Sequence, residues 1–130
     1  MLTTLALDPA GRWIATGGPS APTITRWPVG ADSGIDAPTA IEVGAPPGAN
    51  LQVSPRGDLM ASSSQTGVWL IPLDGRKPER LPGFVSLVTA VAFDGEGRRL
   101  AAGGGELGEA AAKGEAVVRV WDLKTRDVRV

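Results

Sequence analysis

Apolar residues recur along this chain in short alternating runs, and one run-turn-run pattern occurs three times. The copies align without gaps and read LALDPAGRWIATG from residue 5, LQVSPRGDLMASS from residue 51 and VAFDGEGRRLAAG from residue 91. Alternation with a period of two is typical of a strand that buries one face, and two such runs around a short turn predict an antiparallel hairpin. The sequence therefore predicts three β-hairpins built to the same plan.

The turn of each hairpin has the same chemistry in all three copies. It begins at Asp8, Ser54 or Asp94 and contains a glycine at position 11, 57 or 97, namely Gly11, Gly57 and Gly97. The first side chain is expected to accept a hydrogen bond from the backbone amide two residues further on, and glycine adopts a positive φ without steric cost. Asp8 and Asp94 are therefore predicted to cap turns in separate repeats rather than to form a catalytic pair.

A third and a fourth strand are predicted to follow each hairpin. The third runs are TITRWPV (23–29), GVWLIPL (67–73) and AVVRVWDL (116–123), which are rich in β-branched and aromatic residues. Weaker fourth strands are predicted at residues 39–43, 79–81 and 127–130. The expected fold class is all-β, with three four-stranded antiparallel repeats.

Four-stranded units that recur every 40–45 residues or so are typical of propeller blades. In the three hairpins and in the pair Trp121-Asp122, the chain resembles the WD-repeat β-propellers. Trp27-Pro28 and Ile71-Pro72 occupy the same slot in the first two copies. The resemblance implies one partial propeller unit over residues 1–130, with blade 1 at about 1–45, blade 2 at about 46–83 and blade 3 at about 84–130.

The chain departs from the family pattern in two respects. WD repeats typically carry a Gly-His pair before the first strand and an Asp between strands two and three, whereas this chain has no His and no matching Asp. The buried His-to-Asp network of the family is therefore not expected. Apolar and small side chains are expected to pack the blades instead.

Gly103, Gly105 and Gly108 spell G-x-G-x-x-G, and Asp122 follows 19 residues after the first of them. This spacing is close to the dinucleotide-binding fingerprint. That fold needs a crossover helix, but only eight residues separate Gly108 from Val117, and another glycine interrupts them. Residues 103–115 are therefore predicted to form an enlarged loop between the second and third strands of repeat three, and no cofactor is expected.

Composition narrows the classes of function. The 130 residues carry a net charge of −1 and include no Cys, His or Tyr, so a basic nucleic-acid surface, a thiolate zinc site and a His-dependent triad are all disfavoured. The N-terminus does not have the pattern of a signal peptide, and no apolar run is long enough to cross a membrane. A cytoplasmic location without nucleic-acid or membrane partners is expected.

The favoured interpretation is a non-catalytic module of WD-repeat type that binds or scaffolds proteins or peptides. Its expected surface comprises the loops at one end of the blades, residues 17–21, 46–50, 64–66, 82–87 and 103–115. The candidate partner-binding residues lie in the enlarged loop and are Glu106, Leu107, Glu109, Lys113 and Glu115. The structural repeat residues are Gly11, Gly57, Gly97, Trp27, Trp121 and Asp122.

Other functions stay open at this point. The chain could be a fragment of a propeller hydrolase or oxidoreductase that uses Asp and Glu near a central channel, a Ca²⁺-binding module, or a purely architectural blade set. The four tryptophans could stack bases or sugars, although packing between blades is favoured. Arg26 is expected either to form a salt bridge or to face an exposed end.

Three blades are too few to close a ring, since propellers usually have four to eight. The outer faces of blades 1 and 3 are therefore expected to be bare apolar sheet, which predicts association. Either further blades of a longer chain cover these faces, or two copies assemble head to tail into six blades.

Overall fold

The computed structural model describes residues 4–18, 22–29, 37–43, 50–64, 67–83, 88–105 and 116–129. Their regular structure is entirely β. The strands are β1 (Thr4–Leu7), β2 (Trp13–Gly17), β3 (Thr23–Pro28), β4 (Thr39–Glu42), β5 (Leu51–Val53), β6 (Leu59–Ser64), β7 (Gly67–Pro72), β8 (Glu79–Leu81), β9 (Val88–Phe93), β10 (Arg99–Gly105), β11 (Ala116–Asp122) and β12 (Val128–Arg129).

The strands form three antiparallel sheets of four strands, each in chain order. Sheet 1 contains β1–β4, sheet 2 contains β5–β8 and sheet 3 contains β9–β12. The hairpins share one register, because Ala6 pairs with Ala15, Gln52 with Ala61 and Ala92 with Ala101. The prediction of an all-β chain with three four-stranded antiparallel repeats is confirmed.

The three hairpin turns share the same backbone hydrogen bond and the same glycine conformation. The amide of each turn glycine donates to the carbonyl of the first turn residue over 2.8, 2.9 and 3.1 Å in sheets 1, 2 and 3. Gly11, Gly57 and Gly97 have φ values of 71°, 71° and 68°, a conformation in which a side chain is strained. The three turns therefore have the same backbone structure.

One of the three side-chain acceptors in these turns differs from the expected pattern. Ser54 Oγ accepts from the amide of Arg56, two residues on, at 3.2 Å. Asp8 accepts from the amides of Ala10, two residues on, and Arg12, whereas Asp94 Oδ1 accepts from the amides of Arg98 and Arg99. A carboxylate has two acceptor oxygens on a longer side chain than serine, so it also reaches amides further along the turn.

Sheet 2 lies between the other two sheets, and an apolar cluster fills each junction. Ala6, Trp13, Ala15, Ile24 and Val43 of the first repeat pack with Leu51, Met60 and Ile71 of the second. Ala61, Val68, Leu70 and Leu81 of the second pack with Val88, Val91, Leu100, Ala102, Trp121 and Leu123 of the third. Both faces of sheet 2 are thus buried, as the hydrophobic effect requires of an inner layer.

The far faces of sheets 1 and 3 are not covered by the described residues. Leu5 and Leu7 on β1 are 53% and 62% exposed, and Val118 on β11 is 56% exposed. Among the described residues, no helix is long and apolar enough to cross a membrane.

Two expectations need correction. Gly103–Gly105 belong to β10 and pair with Val118, Val117 and Ala116, so the enlarged connection begins after Gly105. Trp27 lies on the uncovered face of sheet 1, half-buried, rather than between two sheets.

The Arg26 guanidinium lies 5.1 Å from the centroid of the Trp13 ring, a cation–π geometry. Among the described residues Arg26 forms no ion pair, so of the two expected arrangements the salt bridge is not found.

Candidate binding site at the loop end of the sheets

Each sheet has two distinct ends. At the hairpin end lie the turns between first and second strands. At the opposite end, here called the loop end, the second and fourth strands of every sheet finish, because neighbouring strands are antiparallel. All the loops predicted to form the recognition surface therefore share the loop end.

The candidate partner-binding residues Glu106, Leu107, Glu109, Lys113 and Glu115 lie outside the described residues. So do most residues of the other four predicted loops. The described positions that frame this end are Gly17, Asn50, Ser64, Pro82 and Gly105.

A cluster of polar side chains lies at the loop end of sheet 2, where β6 finishes. Ser62, Ser63 and Ser64 are all buried. Ser63 Oγ accepts from the amide of Asn50 at 3.1 Å and lies 3.3 Å from the Asn50 carbonyl, to which it donates. Ser64 Oγ donates to the carbonyl of Gly67 at 3.0 Å, across the connection between β6 and β7. We call Asn50, Ser62, Ser63 and Ser64 the serine patch.

Two polar atoms, one in the serine patch and one beside it, have no hydrogen-bond partner among the described residues. Asn50 Oδ1 and Trp69 Nε1 are buried, and no hydrogen-bond partner for either atom is found among the described residues. Trp69 pairs across the strands with Ser62. A buried polar atom that is left unpaired costs about 1–3 kcal/mol. Ser62 and Ser64 project from one face of β6 and Ser63 projects from the other, and each hydroxyl donates to a carbonyl of the chain.

Most of the described Asp and Glu side chains lie at the hairpin end, and several of them accept hydrogen bonds within the turns. The Asp8 side chain is fully buried and pairs with Arg12 Nε at 2.7 Å. Asp122 Oδ1 accepts from the amides of Lys124 and Thr125 at 2.8 and 3.0 Å. Asp8 and Asp94 lie in different sheets, as their repeat positions predict.

These bonds lower the pKa values of the carboxyl groups. The side-chain hydrogen bond from Arg12 lowers the pKa of Asp8 more than burial raises it. The amide of Thr125, followed by that of Lys124, lowers the pKa of Asp122. For Asp94, desolvation is the largest single effect and raises the pKa, but the amides of Arg99, Arg98 and Gly97 together lower it. All three groups are ionised at neutral pH.

Within the described ranges, no group of three or more Asp and Glu side chains is placed to hold a metal ion. Trp121 is fully buried and donates from Nε1 to the carbonyl of Pro82 at 2.9 Å. Asp122 ends β11 and bonds to backbone amides, so the single Trp-Asp pair has structural contacts in this chain.

The sequence predicts a recognition surface in the loops at this end, which stays a prediction, and it does not predict the serine patch. The signal was present in the run SSSQTG, where both faces of a strand carry polar side chains. Serines at alternate positions of a half-buried strand are usually solvated on one side. Here sheets on both sides bury them, which is a tertiary effect.

The fold is similar to part of a solved structure, the hydrazine synthase of Kuenenia stuttgartiensis. The TM-score is 0.78 at 16% sequence identity, and the match covers 100% of this chain and 36% of that one. This chain thus spans about a third of that protein, and the likeness concerns the fold. No known protein-family model matches the chain, and no curated protein is significantly similar to it.

Proposed function

We propose that the three sheets are consecutive blades of a WD-repeat type β-propeller, and that the chain is a non-catalytic module that binds or scaffolds proteins or peptides. The observation that carries this proposal is the repeated junction. The same strands in the same register pack sheet 2 on sheet 1 and sheet 3 on sheet 2. The first strands β1, β5 and β9 contact one another in succession, as strands around a propeller axis do.

The electrostatics of three turn carboxylates argues against a general-acid role for them. A general acid near neutral pH needs a raised carboxyl pKa, whereas the pKa values of Asp8, Asp94 and Asp122 are all lowered. Each of these groups is also occupied by turn amides. The described carboxylates are therefore suited to stabilise turns.

The loop end offers what a binding module requires, namely connections held on a rigid scaffold. At this end of sheet 2, Asn50 Oδ1 and Trp69 Nε1 are buried and have no hydrogen-bond partner among the described residues. The longest connection, residues 106–115, leaves sheet 3 at the same end, because Gly105 pairs with Ala116 across its base.

The proposal is tested with a displayed peptide library selected on the whole chain, followed by calorimetric titration of the enriched peptides. One variant replaces residues 106–115 with Asn-Gly, which suits the two-residue turn that the Gly105–Ala116 pair permits. The control, Lys77→Ala, changes an exposed side chain at the hairpin end.

We expect peptides whose affinity falls at least about tenfold, or 1.4 kcal/mol, in the loop variant and stays unchanged in Lys77→Ala. Enrichment no better than on the heat-unfolded chain would overturn the proposal. So would peptides whose binding depends on Lys77 rather than on the loop end.

A further inference from the structure

Sheets 1 and 3 each have one face that no described residue covers. These two faces are equivalent, by repeat position, to the two sides of the junctions that join sheet 1 to sheet 2 and sheet 2 to sheet 3. We call them outer face 1, with Leu5, Leu7, Ile14 and Trp27, and outer face 3, with Ala92, Ala101, Val118 and Val120. Strand pairing places the members of each set on one side of their sheet. Thr16 and Thr25 also lie on outer face 1, and Arg99, Asp122 and Arg129 lie on outer face 3, so polar side chains flank each apolar set.

Outer face 1 is the repeat equivalent of faces that are buried elsewhere. Leu5 is 53% exposed, whereas Leu51 and Val91, at the same repeat position, are 2% and 4% exposed. Ile14 is half-exposed, whereas its equivalents Met60 and Leu100 are fully buried. In both buried cases the face packs on the preceding sheet.

Outer face 3 is the equivalent of the faces that receive this packing. Val118 is 56% exposed, but Ile24 and Val68 at its repeat position are fully buried. Ala101 is partly exposed, and its equivalents Ala15 and Ala61 are fully buried. Sheet 3 therefore presents a receiving surface of the kind that sheets 1 and 2 use.

The hairpin turns show the same incomplete pattern. A Cβ on Gly57 would lie 3.1 Å from Asp8 Oδ1, and a Cβ on Gly97 would lie 3.1 Å from Ser54 Oγ, so each turn rests on the first residue of the turn before it. A Cβ on Gly11 would meet nothing within 4 Å. The position that would receive Gly11 is Asp94 of another copy.

We propose that outer face 1 of one copy packs on outer face 3 of a second copy, and that two copies close head to tail into a ring of six sheets. This inference rests on the proposed blade arrangement. A second copy is favoured as the occupant because this chain carries both halves of one repeated junction. Two chains of three sheets give six, which lies within the usual range of four to eight blades, and a heterologous contact that closes forms a ring rather than a fibre.

The test is sedimentation velocity on the whole chain and on two variants, alone and mixed. Leu7→Glu disables outer face 1 and leaves outer face 3 intact, while Val118→Glu does the reverse. We expect the parent chain to sediment as a dimer, with twice the 13.3 kDa mass of one chain, and each variant alone to sediment as a monomer. An equimolar mixture forms a dimer weaker than the parent dimer, because one of its two junctions is intact and the other carries both substitutions.

Val128→Glu is the matched control, since Val128 is an exposed apolar residue outside both outer faces, and it is expected to remain a dimer. Chemical unfolding of every variant shows that each is folded before its mass is interpreted.

A folded parent chain that stays a monomer overturns the proposal and leaves the outer faces to another partner. A dimer of either variant alone, as strong as that of the parent chain, also overturns it, because the proposed junction needs both outer faces, and a polymer of the parent chain overturns closure as a pair. A monomer that still binds peptides in the titration refutes this inference alone. A chain that binds none refutes the proposed function, whatever its mass.

Discussion

Gly57 lies against Asp8 of the preceding sheet, so closely that a Cβ on Gly57 would be 3.1 Å from Oδ1 of the carboxylate and 2.9 Å from the Arg12 guanidinium. The buried Asp8 carboxylate is held in turn by Arg12 Nε at 2.7 Å. Glycine at position 57 thus has two roles: it adopts the positive φ of its own turn, and it lets that turn approach its neighbour.

Gly57→Ala is expected to destabilise the chain more than Gly11→Ala. Both residues have a φ of 71°, so both variants incur the left-handed strain of about 1–2 kcal/mol. Only Gly57→Ala also displaces a neighbour, which adds on the order of 1 kcal/mol. Urea unfolding in the Leu7→Glu background, where the chain is expected to be monomeric, makes the comparison. Equal losses would contradict the close contact between the turns.

Trp69→Phe is expected to cost less stability than Trp121→Phe. Trp121 Nε1 donates to the Pro82 carbonyl at 2.9 Å, whereas Trp69 Nε1 is buried with no partner among the described residues. Trp121→Phe therefore leaves the Pro82 carbonyl without its donor, while Trp69→Phe removes an unsatisfied one. The difference in the free energy of unfolding is expected to be about 1–2 kcal/mol. A larger loss for Trp69→Phe would mean that Nε1 has a partner.

Asp8→Asn is expected to lower the free energy of unfolding at neutral pH and to weaken its dependence on pH in the acid range. The hydrogen bond from Arg12 lowers the pKa of Asp8 in the folded chain, so the ionised form stabilises the fold above the unfolded pKa of about 3.9. That stabilisation is lost as the pH falls through the lower folded value. The parent and the variant should therefore differ most at pH 7 and converge below pH 4. A constant difference across that range would mean that ionisation of Asp8 is not linked to folding.

The repeat alignment predicted the parts of the fold that local chemistry determines. The turn glycines adopt positive φ, and β8 occupies the predicted residues 79–81. These features depend on steric rules within a few residues.

Tertiary contacts decided what the sequence did not reveal. Gly103–Gly105 resembled a loop because glycine disfavours strands, yet pairing with Val117 and Val118 of β11 holds them in β10. The equivalents of Trp69 are Thr25 and Arg119, so repeat alignment alone could not place it. Its partial packing against the sheet 1 junction becomes visible only when the sheets are stacked.

Replacement of residues 106–115 with Asn-Gly is expected to leave the free energy of unfolding unchanged within about 0.5 kcal/mol. The reason is that β10 and β11 already pair through Gly105 and Ala116, so a short turn joins them without shifting the register. Thermal and urea unfolding measure the effect. A loss of several kcal/mol would show that the connection packs on the core, and the replacement could then not isolate binding.

Label-to-label distances between hairpin turns test the repeated junction most directly. Ala10, Arg56 and Glu96 are exposed at equivalent turn positions, and the absence of Cys allows clean spin labelling of Ala10→Cys, Arg56→Cys and Glu96→Cys. Pulsed dipolar spectroscopy on the 10/56 and 56/96 double variants should give the same distance. A mixture of chains labelled singly at 10 and at 96 should give that distance again, across the junction between copies. Unequal distances within the chain would contradict the stacked repeats, and no dipolar coupling in the mixture would contradict the head-to-tail ring.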